Sequence, residues 1–200
     1  MSIHISSGGG ASRAFRKLII FIDGSNLLSS IAHFEKVTQK NYKINFHTLR
    51  NILIDLSSPG WQIGLEHIKT YFFGPKGIPE DIKSVKRNSS FSEQIDEFKN
   101  DLKDNHVRLI LKEKIGNKEK GIDVALVTEF LSLAYSNAYD YALLVSGDAD
   151  FISAIDEVKR LGKIVCVASF KSHFNQQLME HIDRVVYLDE HINFLEELKR

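Results

Sequence analysis

From residue 17 onward the chain alternates short apolar runs with longer segments in which apolar positions recur every three or four residues. The short runs read as strands and the longer segments as helices, and their alternation predicts a parallel sheet covered by helices on both faces. The first strand is residues 17–22. Asp23 and Gly24 follow, and Ser25 or Asn26 stands ready to cap a helix running to about Phe34, before a basic loop with Lys36, Lys40 and Lys43. A second helix starting after Asn45 lines up Phe46, Leu49, Leu53 and Leu56 on one face. The second strand is residues 65–73, where periodicity does not decide which face is buried. Residues 80–105 read as helix with a weak point at 88–90, and the third strand is 107–115, followed by a loop at 116–120. A helix over 122–134 is apolar nearly all round, so it is expected to be largely buried. The fourth strand is 141–145, a helix spans about 151–161, and the fifth strand is 163–168. A loop at 169–173, a helix to His181, a short run at 184–188 and a terminal helix complete the pattern. The expected fold is a three-layer α/β/α sandwich around a mostly parallel sheet of five or six strands.

Composition narrows this to one domain. A chain of 200 residues, 43% of them hydrophobic, can bury a sizeable core. Residues 1–16, rich in Ser and Gly, read as a flexible tail, and 17–200 as the domain. Basic and acidic residues balance at 26 each, so no global field favours nucleic acid or an anionic membrane, and any basic surface is local. The single cysteine, Cys166, lies in an apolar run, which excludes intrachain disulfides and Cys-based zinc sites. No run approaches the roughly 18 residues of a membrane span, and the amino terminus lacks a signal pattern, so a cytoplasmic protein is expected.

The chemistry sits where strands end. In an open parallel sheet, loops that follow different strands meet along one edge, and ligands bind where strand order reverses. Asp23 follows the first strand, Asp148 and Asp150 follow the fourth in SGDADF, and Asp123 opens the helix after the third. Each alone could be a helix cap or a dipole partner. Together they would repel one another unless a cation neutralised them, and an all-oxygen donor set suits Mg²⁺ or Mn²⁺ rather than zinc. Asn26 could cap a helix or orient substrate and water, and Ser146 could close a turn or donate to a phosphate. Glu129, six residues after Asp123, falls about 240° round the helix and faces elsewhere.

Local positive charge comes from Arg108, Lys112, Lys114, Lys118 and Lys120, against Glu113 and Glu119, a net of +3. Such residues hold backbone phosphates without reading sequence, or simply guard an edge strand. Lys120 is the foremost phosphate candidate, three residues from Asp123. Lys171, Ser172 and His173, after the fifth strand, open on the same edge. Tyr42, Phe72 and Phe91 could stack on bases, although packing is the commoner role of such residues.

Three motifs in order, FIDGSN at 21–26, KGIDVALVTEF at 120–130 and LLVSGDADF at 143–151, resemble the NYN-domain family of PIN-like ribonucleases, its LabA-like branch in particular. A weaker match is Leu178 with IDRVVYL at 182–188. The resemblance implies a sheet ordered 3-2-1-4-5 and an acidic pocket of Asp23, Asp123, Asp148 and Asp150, with Asn26 at the polar position after the first acid. It further implies an endoribonuclease whose metal activates water against a phosphodiester, leaving a 5′-phosphate and a 3′-hydroxyl. RNA as substrate, and a homodimer, are expectations of the same resemblance. The rival reading is an RNA-binding or regulatory module with a vestigial pocket. A haloacid-dehalogenase-like phosphatase fits less well, because the first strand ends in DGS rather than DxD.

Overall fold

The computed structural model describes residues 15–57, 64–75, 107–112, 114–115, 118–119 and 121–197. The predicted tail up to residue 14, the predicted helix at 80–105 and Lys120 lie outside the described residues. In chain order the elements are β1 (Phe15–Asp23), α1 (Gly24–Thr38), β2 (Tyr42–Ile44), α2 (Phe46–Ser57), β3 (Gly64–Pro75), β4 (Val107–Lys112), β5 (Lys114–Ile115), β6 (Lys118–Glu119), α3 (Ile122–Tyr135), β7 (Tyr141–Val145), α4 (Ile152–Arg160), β8 (Ile164–Ser169), β9 (Arg184–Tyr187) and β10 (Leu195–Glu197).

Six strands form one sheet in the order β4-β3-β1-β7-β8-β9, and every adjacent pair is parallel. The predicted order holds, with β9 as sixth strand. The chain builds outward from β1 in one direction, then returns to β7 and builds outward in the other. The reversal between β1 and β7 opens a crevice at their C-terminal ends. Alternation along the strands feeds two cores: Leu18, Ile20, Ile22, Leu143, Val145, Cys166 and Ala168 face α1 and α2, while Ile19, Phe21, Ala142, Leu144, Val165 and Val167 face α3 and α4. The central strands β1, β7 and β8 are thus buried on both faces, which is why they read as continuous apolar runs.

Helix α2 forms as its periodicity predicts: Phe46, Leu49 and Leu53 are buried, and Asn45 Oδ1 caps it by accepting from Thr48 N at 2.9 Å. Four expectations are corrected. Helix α1 runs to Thr38 and is capped by Asp23, not by Ser25 or Asn26, so Lys36 is helical and Lys43 lies in β2. The third strand stops at Lys112, and β5 pairs antiparallel with β6 where the rest of that strand and a loop were expected. Helix α3 buries only one face, through Ile122, Leu126, Phe130 and Ala134, while Val124 is 69% exposed. The two C-terminal helices are replaced by a 3-10 turn at Gln176–Glu180 and by β10, which pairs antiparallel with β2. There Leu195 is buried, Asn45 donates to Glu196 and Lys40 to Glu197, so tertiary partners override the helical propensity of LEELK.

Candidate active site

Asp23 is the last residue of β1 and one of few buried charged groups among the described residues, only 4% exposed. Ile22 pairs with Val145 across the β1–β7 reversal, so the residues that follow, Asp23 and Ser146, emerge side by side. Asp23 Oδ1 accepts from Asn26 N at 3.1 Å, which caps α1, and Oδ2 accepts from Ser146 Oγ at 3.0 Å. Ser146 Oγ in turn accepts from Asp148 N at 3.3 Å, and Asn26 Oδ1 accepts from Gly147 N at 3.2 Å. Asp23, Asn26, Ser146 and Gly147 therefore close a ring of hydrogen bonds that locks two strand ends together. The Asp23 carboxyl is pushed up to about 6, first by burial and then by the charges of Asp123 and Asp148, against the lowering pull of Asn26 N and Ser146.

The other three acids are exposed. Asp123 lies in the first turn of α3, behind Gly121 at φ +84°, and its charge reaches Asp23. Asp148 Oδ1 accepts from Asp150 N at 2.9 Å and caps the 3-10 turn Ala149–Phe151. The sequence left the cap open among the acids; the cap is Asp148. Gly147 is the residue whose importance sequence reasoning missed, its one signal being a glycine directly between a strand end and an acid. A Cβ there would lie 2.0 Å from the His173 carbonyl oxygen, and Gly147 O accepts from Asn175 N at 2.9 Å. The loop after β8 is thereby docked on the acid-bearing loop.

The residues expected to bind nucleic acid divide. Ser146 is buried and spends its proton on Asp23, so it orients the acid rather than a phosphate. Lys171 Nζ donates to Glu190 at 2.7 Å and its backbone N to Asp189 at 2.7 Å, so its charge is matched. Ser172 Oγ lies 2.9 Å from His173 Nδ1. Arg108 pairs with Glu129 at 3.8 Å, which reduces the free positive charge of its segment. Lys112 ends the edge strand β4 and Lys114 begins β5; their side chains, like Lys120, lie outside the described residues. Tyr42 and Phe72 pack against the core, whereas Phe91 lies outside the described residues.

Among the described residues, no three His, Cys, Asp or Glu side chains gather closely enough to hold an ion by themselves. A hard divalent cation does not require such a cage, since Mg²⁺ is commonly held by one or two carboxylates with water and substrate phosphate completing the shell. The donor chemistry fits: a buried carboxylate whose ionisation is opposed by two neighbouring carboxylates is relieved by a cation.

The architecture is a three-layer α/β/α domain that carries acids at the switch point of its parallel sheet. The chain belongs to the NYN domain family, whose model matches residues 17–189. That family falls within the PIN-like nuclease superfamily, which places the chain among nucleases, a class of hydrolases. Its fold is similar to that of a crystal structure of a protein of unknown function from Vibrio parahaemolyticus, with a TM-score of 0.57, 18% identity, and coverage of 88% of this chain and 94% of that one. A search of curated proteins finds no match. Among the described residues no helix is long and apolar enough to cross a membrane.

Proposed function

We propose that the chain is a metal-dependent endoribonuclease, with Asp23, Asp123, Asp148 and Asp150 holding Mg²⁺ or Mn²⁺ at the crevice between β1 and β7. The observation that carries this reading is the state of Asp23, buried, fixed by two hydrogen bonds and held near pKa 6 with two further carboxylates acting on it. Asp23 also caps α1 and joins the strand ends, but a neutral hydrogen-bonding side chain would serve both purposes without the cost of burying a charge, so the charge is what points to a functional site. When bound, the ion supplies positive charge for the scissile phosphate and acidifies water. The protein's own part is to fix Asp23 through Ser146 and Asn26 and to present Asp148 and Asp150 to solvent, where Asp150 can take the proton of an attacking water. Water adds to phosphorus, the bond to the 3′-oxygen breaks and that oxygen takes up a proton from solvent, so the products carry a 5′-phosphate and a 3′-hydroxyl.

One observation favours a second reading, an RNA-binding or regulatory module: the acids do not close round a common centre. Incubating labelled RNA with the protein and Mg²⁺ or Mn²⁺, beside Asp148→Asn, separates the two. Asn retains the cap at position 148 while removing the charge. Cleavage by wild type and not by the variant supports the enzyme. Equal cleavage by both sinks the mechanism, and binding without cleavage supports the module.

A further inference from the structure

We infer that Ser29, His33 and Lys36 on the exposed face of α1, with His173 packed beside them, form a track for the phosphodiester backbone of a single strand entering the acid pocket. The inference rests on the nuclease reading above and names how substrate is held there.

The three helix residues stand at i, i+4 and i+7, within an arc of about 60°. All three are exposed, while Leu27, Leu28, Ile31 and Ala32 face the core. The single acid of α1, Glu35, is buried and accepts from Tyr42 N at 2.8 Å, so the exposed face of this helix presents no carboxylate. Ser29 lies one turn beyond Asn26, which is bonded to Gly147, so the stripe begins beside the pocket and runs roughly 10 Å away from it. That length is the scale of a nucleotide or two.

His173 packs onto this stripe from the loop after β8. Its Nε2 lies 3.4 Å from Ser29 Oγ, a long contact that a phosphate oxygen can replace, and its ring centroid is 5.6 Å from that of His33. Its carbonyl rests on Gly147, the residue before Asp148. Hydroxyl, imidazole N–H and ammonium donors therefore lead outward in turn from one side of a pocket that is itself acidic. An acidic pocket repels a polyanion, so a nucleic acid can reach it only where donors compensate. Lys171, on the same loop as His173, is matched by Glu190 and does not serve.

The test is fluorescence anisotropy of the full chain with a labelled single-stranded RNA in EDTA, where cleavage is blocked. A His33→Ala, Lys36→Glu double variant, both positions being exposed, is expected to melt with wild type and to bind at least about tenfold more weakly. Lys36→Ala alone is expected to reduce the slope of log Kd against log salt by about 0.7, one phosphate contact. Single-stranded DNA of the same sequence should lose the same factor, because the contacts are to phosphate. With Mg²⁺ present, the double variant should raise KM and hold kcat. If wild type binds and cleaves while the double variant binds within twofold of it, the track is overturned and the nuclease reading stands. If wild type binds no RNA in EDTA yet cleaves it with Mg²⁺ or Mn²⁺, the track is overturned and the nuclease reading stands; if it does neither, both fall.

Discussion

Ser146 Oγ donates to Asp23 Oδ2 at 3.0 Å, joining residues 123 positions apart at the ends of adjacent parallel strands. Its removal should be felt by the acid more than by the fold. Ser146→Ala deletes a hydrogen bond that favours the ionised carboxylate, so the Asp23 pKa should rise above 6. The acid limb of the pH–rate profile should move to higher pH, with stability at neutral pH lowered by about 1 kcal/mol. An unmoved limb would show that Ser146 does not act through Asp23.

Stability should depend on pH with a sign opposite to that of an ordinary surface carboxylate. Burial holds Asp23 near 6 in the folded protein against an ordinary 3.8, so between those values the folded state keeps a proton that the unfolded chain has lost. Its contribution is therefore greatest below about pH 4, declines as pH rises towards 6 and is level above, a total of roughly 3 kcal/mol. The difference in urea-unfolding free energy between wild type and Asp23→Asn isolates this contribution, and Mg²⁺ should reduce it. A difference that did not vary between pH 4 and 6 would contradict the burial argument.

Gly147→Ala tests the docking of the two loops. A Cβ 2.0 Å from a backbone oxygen cannot be absorbed by a side-chain rotation. The variant should lose about 3 kcal/mol and most activity, because displacing the loop after β8 also displaces Asp148. A Gly147→Ala protein that melts with wild type would show that the loops are not rigidly joined.

Much of this was legible in the sequence, for identifiable reasons. Strands buried on both faces read as apolar runs, and 141–145 is β7 to the residue. The acids at strand ends followed from chain direction in a parallel sheet. What escaped depended on contacts between distant segments. The cap at Asp148 stayed undecided because two acids in one tight turn are equivalent until the backbone picks one. The terminal helix became β10 because Lys40, Asn45 and β2 were there to pair with it. Helix α3 was expected to be buried because its composition is apolar, yet Val124 and Tyr135 remain exposed. The closure of Asp23, Asn26, Ser146 and Gly147 into one hydrogen-bonded ring needed three dimensions.

The charge of Asp23 serves chemistry, whereas its cap of α1 and its link to Ser146 need only a hydrogen-bonding side chain. Asp23→Asn tests this directly. Asn can still accept from Asn26 N, and its amide can donate to Ser146, so the ring survives. At pH 8 without divalent ions the variant should be more stable than wild type by about 1–3 kcal/mol in urea unfolding, while RNA cleavage in Mg²⁺ or Mn²⁺ falls at least about 100-fold. A variant that is less stable than wild type yet still cleaves RNA at the wild-type rate would contradict the account.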